Sequence, residues 1–316
     1  MRKFLLSLVL LVCALPSFAF GHSYFTREPA GSIPIAECNM NAVDICNAVK
    51  GFVQLGRWYD LYSNAIINND GSEPGSPSGY LDSILPYSGT CIGPPPLACA
   101  VGGGQIGYID NKVDREMFVG LTFRVNANYT CSSVGKSKTF FMRTMDNPSG
   151  FQQTNGVFLI EGCGTTKSWI FSHNSSQNDN THICALDLGL ACYPNVGSGS
   201  FAVNTWVRIE VCMRSSDSIS SRNGVLKFWM NGNPVMSYTN LNYGSGNVNE
   251  FVQNETWDGY GNGQGFTAEA RQQFGHVYIS APPSGGCAAT GGGPPPLPID
   301  NPVGPPGTTT VTVTVQ

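Results

Sequence analysis

Between residues 206 and 238 the chain alternates apolar and polar side chains twice, around a turn, and this constrains the fold more than any other feature. In NTWVRIEVCMR, Val207, Ile209, Val211 and Met213 fall on one side of an extended strand. Trp206, Arg208, Glu210, Cys212 and Arg214 fall on the other. In NGVLKFWMNGNPVMSYTN, Leu226, Phe228 and Met230 oppose Val225, Lys227 and Trp229. The NGNP at residues 231–234 supplies the turn, because Asn and Gly tolerate positive φ and Pro cannot extend the pairing. A period of two side chains belongs to strands, so this stretch is a β-hairpin preceded by a partner strand.

The same punctuation recurs along most of the chain. Strands are expected at residues 117–127, 139–145, 156–161, 168–173, 206–214, 225–231, 235–238 and 275–280, separated by Gly, Asn and Ser turns. In MFVGLTFRV, Met117, Val119, Leu121, Phe123 and Val125 oppose Phe118, Gly120, Thr122 and Arg124. Phe141, Arg143 and Met145 share a face, and His276 and Tyr278 share another. One sheet face is thus apolar, while another gathers Arg, Glu, His and aromatic residues. The one helical spacing lies at 41–55, where Val43, Cys46, Val49 and Val53 recur at three- and four-residue steps. The pattern predicts an all-β fold: a two-sheet antiparallel jelly-roll β-sandwich with few short helices and disulfide-stapled loops.

Residues 1–19 have a basic start (Arg2, Lys3), a short apolar run and small residues at Ser17 and Ala19, the layout of a secretory leader. The run is too short to favour a membrane span. A secreted location, extracellular or periplasmic, is expected. Ten of the eleven cysteines lie beyond the leader, an even number suited to an oxidising compartment. Cys38/Cys46, Cys91/Cys99 and Cys184/Cys192 share one spacing and are expected to form three local disulfides. Cys131, Cys163, Cys212 and Cys287 remain, with their pairing open. Residues 285–316, GGCAATGGGPPPLPIDNPVGPPG followed by TTTVTVTVQ, are expected to be a Pro/Gly-rich linker and a Thr/Val tail. That leaves residues 20–284 as one β domain. Charged residues are only 12% of the chain, about half the usual share. Without the leader the formal charge moves from −4 to −6, and there is no basic run. Nucleic acid and anionic membranes are therefore not expected as partners, and no stretch after the leader is long and apolar enough to suggest a membrane span.

The succession NTWVRIEVCMR, NGVLKFWMNGNPVMSYTN and FGHVYIS resembles the concanavalin A-like lectin/glucanase superfamily, and within it the jelly-roll polysaccharide lyase-like subset. Trp206, Arg208, Glu210, Gly224, Leu226, Trp229, Asn231 and Gly232 carry the match. The resemblance implies a sandwich that meets polysaccharide or glycan. Trp rings stack on the C–H faces of sugars, so Lys227, Trp229 and Glu210 are candidate ligand-binding residues, with Trp257 and Tyr260 in the Gly-rich loop NETWDGYGNGQGF. No pair of closely spaced carboxylates suits a hydrolase. A uronate lyase working by β-elimination needs a neutralising cation, a base and an acid. Arg124, Arg143 or Arg208 is a candidate for the first, His173, His182 or His276 for the second, and Tyr238 or Tyr278 for the third. No spacing ties these together, so non-catalytic glycan binding leads. The lyase and a structural or adhesive surface module are the alternatives. No cofactor is expected beyond a structural Ca²⁺ at Asp258 or backbone carbonyls.

Overall fold

The computed structural model describes residues 24–40, 46, 48–50, 56–60, 66–68, 70–74, 79–84, 106–110, 114–129, 136–145, 152–162, 164–175, 191–218, 221–243, 246–253 and 268–289. The strands are β1 (Ile33–Cys38), β2 (Val49–Lys50), β3 (Arg57–Asp60), β4 (Ile66–Asn68), β5 (Tyr80–Ile84), β6 (Ile106–Ile109), β7 (Glu116–Val125), β8 (Lys136–Met145) and β9 (Gln152–Glu161). They continue with β10 (Thr166–Ser175), β11 (Ala191–Cys192), β12 (Ser200–Ala202), β13 (Val207–Arg214), β14 (Gly224–Met230), β15 (Asn233–Leu241), β16 (Val248–Gln253) and β17 (Arg271–Ala281). A short helix, α1 (Gly286–Ala289), follows β17.

Two sheets form the sandwich. The eight-stranded sheet runs β15-β14-β13-β7-β17-β5-β4, with β1 also paired to β17. The nine-stranded sheet runs β11-β10-β9-β8-β16-β6-β3-β2, with β12 also paired to β10. Every strand expected from β7 onward is present, several of them longer than read, and the two-sheet β-sandwich stands as expected. The helical spacing at 41–55 is not a helix where it is described: Val49–Lys50 is strand β2, whose backbone pairs with β3. A few apolar residues at helical steps do not outweigh a sheet edge that supplies hydrogen-bond partners.

The apolar sets read from alternation meet between the sheets. Leu121, Phe123, Ile209, Val211, Leu226 and Phe228 pack against Phe140, Phe158, Trp169 and Phe171 in one core cluster. Trp169 lies 5.1 Å from Phe123 and 5.6 Å from Phe228, ring centre to ring centre. The hairpin closes through Asn231 (φ 51°) and Gly232 (φ 76°), both left-handed, as a tight primed turn requires. Arg208 N–H donates to the Asn231 side chain at 2.8 Å, and Asn231 N–H donates back to Arg208 O at 2.8 Å.

Two disulfides join described residues. Cys38–Cys46 is one of the three local pairs expected, and Cys212–Cys287 links β13 to α1. Cys192 is also disulfide-bonded, while Cys91, Cys99, Cys131, Cys163 and Cys184 lie outside the described residues. The packed chain runs past residue 284 into what reads as linker. The two carboxylate oxygens of Glu116 accept the Gly285 and Cys287 N–H groups, and Cys287 is fully buried. A disulfide and a buried carboxylate acceptor thus hold a Gly/Ala-rich segment that has little packing of its own. Among the described residues no helix is long and apolar enough to cross a membrane.

Candidate functional site

Register explains which side chains share the outer face of the eight-stranded sheet. Arg208 pairs with Thr122, Glu210 with Gly120 and Cys212 with Phe118 across β13 and β7. Glu210 pairs with Trp229 and Cys212 with Lys227 across β13 and β14. On β17 the register shifts between Phe274 and Val277, a bulge at Gly275 and His276. That extra step lets Gln273, His276 and Tyr278 all avoid the core while Phe274 and Val277 enter it. Arg208, Glu210, Lys227, Trp229, His276 and Tyr278 therefore gather on one face, as their alternation implies.

Half of that face is occupied by the chain itself. Residues 24–29 lie across it as a strap, with the Phe25 ring seated over Gly120, where even a Cβ would come within 2.4 Å of the ring. Phe25, Phe118, Cys212, Val225, Trp229, Tyr278 and Cys287 form a second apolar cluster, separate from the main core. Arg27 N–H donates to Glu210 Oε2 at 2.6 Å, and the Arg27 guanidinium donates to Gly232 O of the hairpin turn at 2.6 and 3.0 Å. Arg208 donates to Tyr24 O at 3.1 Å and pairs with Glu210 at 3.1 Å. Tyr278 donates to Glu28 at 2.9 Å, and His276 Nε2 lies 2.6 Å from Glu37 Oε1. Glu210 and His276 are 0% exposed and Trp229 is 6% exposed. Burial raises the Glu210 carboxyl above its ordinary pKa, opposed by the Arg208 charge. Burial also pushes the phenols of Tyr24 and Tyr278 well above theirs. Lys227, whose Nζ donates to Ser237 Oγ at 2.7 Å, is pushed down by burial. The sequence shows which side chains share this face. It does not show that residues 24–29 cover them.

The other half of the face carries a polar and aromatic row. Arg124 pairs in register with Gln273, and Gln273 with Asp82, so three strands present them side by side. Arg124 Nε donates to Gln273 Oε1 at 2.6 Å, and Gln273 Nε2 donates to Asp82 Oδ1 at 3.3 Å. Asp82 also takes Asn68 Nδ2 at 3.2 Å and an ion pair from Arg271. The Arg124 guanidinium lies 4.5 Å from the Trp206 ring and 5.2 Å from the Tyr80 ring, and those rings meet edge to face at 5.3 Å. Trp206 and Arg124 are half-buried and Asp70 is exposed. Tyr80 donates to Asp70 at 3.0 Å, and Trp206 Nε1 donates to Ser72 Oγ at 3.4 Å. Burial alone would raise the Asp70 carboxyl, but hydrogen bonds from Ser72 and Tyr80, with Arg124 nearby, hold it below its ordinary pKa. Of this row the sequence singles out Arg124 as a candidate cation and Trp206 as part of the family match. Tyr80 and Asp82 share a side of YLDSI, a pattern visible in the sequence, but its pairing with β17 is not.

Arg143 lies on the opposite sheet. It pairs in register with Glu250, sits 3.6 Å from that carboxylate and stacks 4.4 Å from the Phe141 ring. Tyr59 donates to Glu250 at 2.5 Å. Tyr238 donates to Tyr193 O at 2.7 Å. The structure therefore distributes Arg124, Arg143 and Arg208 over three separate settings. His182, Trp257, Asp258, Tyr260 and the side chain of His173 lie outside the described residues. Among the described residues no group of three or more His, Cys, Asp and Glu is arranged to hold a metal ion.

No protein-family model and no curated protein matches the sequence. Solved structures do. Alginate lyase Aly36B is 14% identical, covering 78% of this chain and 97% of its own, with a TM-score of 0.48. Alginate lyase vAL-1 from Chlorella virus is 12% identical over 69% of this chain and 88% of its own, with a TM-score of 0.44. The Emp46p carbohydrate recognition domain is 9% identical over 80% of this chain and 97% of its own, with a TM-score of 0.38. This chain is thus similar to solved alginate lyases and to a solved carbohydrate recognition domain.

Proposed function

We propose that this chain is a secreted glycan- or polysaccharide-binding β-sandwich module. Its ligand would lie on the eight-stranded sheet around Trp206 and Arg124, clear of the strap, and would not be cleaved. The observation that carries this reading is the half-buried Trp206–Arg124 pair, backed by the buried Tyr80 ring and by the row of Gln273, Asp82 and Asn68. The Trp206 ring takes the C–H side of a sugar ring and the Arg124 guanidinium beside it takes hydroxyls, while buried Gln273 and Asp82 hold Arg124 from beneath. Binding is favoured over β-elimination because the candidate cation, base and acid that share a face, Arg208, His276 and Tyr278, lie under the strap and the β1 edge and are already engaged there. His276 is sealed against Glu37, Tyr278 is engaged with Glu28, and Arg143 is on the other sheet. The strap over residues such as Trp229 favours a second reading, a structural or adhesive module.

Retention on insoluble polysaccharides and on a glycan array tests the proposal. The wild-type chain should be retained, and Trp206→Ala should weaken retention roughly tenfold, the equivalent of about 1.4 kcal/mol. No retention on any glycan would overturn the binding reading and leave the adhesive one. Incubation with alginate, glucuronan and pectin, followed by ultraviolet absorbance of an unsaturated product, decides against binding alone if absorbance grows.

A further inference from the structure

Arg124 is immobilised before any ligand arrives, and the means of immobilisation reaches three strands deep. Its guanidinium lies against two rings that also touch each other, and its Nε is spent on Gln273 Oε1. Its two terminal nitrogens have no hydrogen-bond partner among the described residues, although the side chain is only half-buried.

Gln273 is 5% exposed, so its amide has little water to turn toward. An amide can face either way, with oxygen or nitrogen leading, and only its surroundings decide. Here Asp82 decides. It is 0% exposed and a carboxylate accepts but does not donate, so it must face the Gln273 NH₂ group. Gln273 Oε1 is then left pointing at Arg124, which can only donate. Asp82 is fixed in turn by Arg271 and Asn68. The in-register pairs Arg124–Gln273 and Gln273–Asp82 keep these groups abreast, so the order is imposed by backbone pairing as well as by side chains.

We infer that Gln273 is a positioning residue for the ligand face. Oriented by buried Asp82, it presents the Arg124 fork with both terminal nitrogens outward, beside the Trp206 ring. This rests on the glycan-binding reading for its purpose, but the positioning itself can be tested without a glycan. A fixed guanidinium beside Trp206 concentrates anions there and leaves neutral solutes unaffected.

The test uses the full chain. Iodide and acrylamide quenching of Trp206 fluorescence is taken as the difference between each variant and its Trp206→Phe counterpart. Arg124→Gln should lower iodide quenching roughly twofold with acrylamide quenching unchanged, and Gln273→Leu should do the same. Because Gln273 acts through Arg124, the double variant should fall no further than Arg124→Gln alone. Gln273→Asn, which keeps the amide but withdraws it by one methylene, should give the same selective loss should the Leu variant fold poorly. Iodide quenching unchanged in a folded Gln273 variant, or full additivity in the double variant, would overturn the inference. A second arm measures retention on laminarin and alginate. If the wild-type chain binds either, Gln273→Leu should weaken it roughly fivefold, the loss of about one ordered hydrogen bond. If it binds neither of these nor any glycan on the array, the glycan reading fails while the quenching result still decides the role of Gln273.

Discussion

Gly120→Ala is a one-methyl change that should release a six-residue segment. The new Cβ would lie 2.4 Å from Phe25 Cγ and Cδ1 and 2.7 Å from Cδ2, closer than real contacts come. β7 cannot retreat, since Gly120 is flanked by register pairs to β13 and β17, so the ring must leave. Phe25 is 1% exposed, and giving up that burial costs about 1.5–3 kcal/mol. Replacing a strand glycine by alanine returns about 0.5–1 kcal/mol through the unfolded chain. The net loss should be about 1–2 kcal/mol. Phe25→Ala alone should cost about 3 kcal/mol or somewhat more. In that background the new methyl has room, and Gly120→Ala should stabilise by about 0.5 kcal/mol. The sign of the glycine substitution therefore reverses with the residue at position 25. Urea unfolding of the four chains, with equal slopes, measures this as a shift in midpoint. An equal cost of Gly120→Ala in both backgrounds would refute the socket argument.

Three further outcomes follow from buried groups. Lys167 is 1% exposed, its Nζ donates to Gly162 O at 2.7 Å, and burial pushes its pKa down from 10.5 to about 8. The folded chain gives up that proton before the unfolded chain does, so stability should rise between about pH 8 and 10.5, and Lys167→Met should flatten the rise in pH-dependent urea midpoints. Replacing both Cys212 and Cys287 by Ala opens a loop of 75 residues and should cost on the order of 4 kcal/mol, read from denaturant unfolding; no change would show that the link adds nothing to the Glu116 contacts. Tyr243, 0% exposed, donates to Met142 O at 2.6 Å, so Tyr243→Phe should cost about 1–3 kcal/mol; a neutral result would mean that this carbonyl is satisfied without it.

What the sequence reveals and what it hides divide by chain separation. The strands β7–β10, β13–β15 and β17 and the turn at Asn231 and Gly232 follow from a period of two and from local φ preference, so neighbours suffice to find them, whereas β11, β12 and β16 are not read from the sequence. The partition of Arg208, Glu210, Lys227 and Trp229 from the core set follows in the same way. What lies above them does not, because Arg27 meets Glu210 across 183 residues and Tyr278 meets Glu28 across 250. The row at Arg124 is hidden for the same reason, since β5 reaches β17 across most of the chain and its strand is short. Alternation holds over His276–Ile279 but does not carry back across the bulge in β17, where one extra residue puts Phe274 in the core with Val277. At the far end, Gly285–Cys287 look like linker because composition carries no sign of the Cys212 and Glu116 partners that order them.

The strap and α1 have a joint consequence. Phe25 and Cys287 belong to one apolar cluster, so the first and last described segments lie on the same side of the sandwich. Such a body can be spliced into a surface loop of another protein without stretching the host, because entry and exit lie close together. It can also be circularised: a short Gly/Ser bridge from residue 289 back to residue 24, with new ends cut at an exposed turn, should leave both sheets intact. A body with this layout needs only one narrow stalk, which leaves its remaining surface free to face outward.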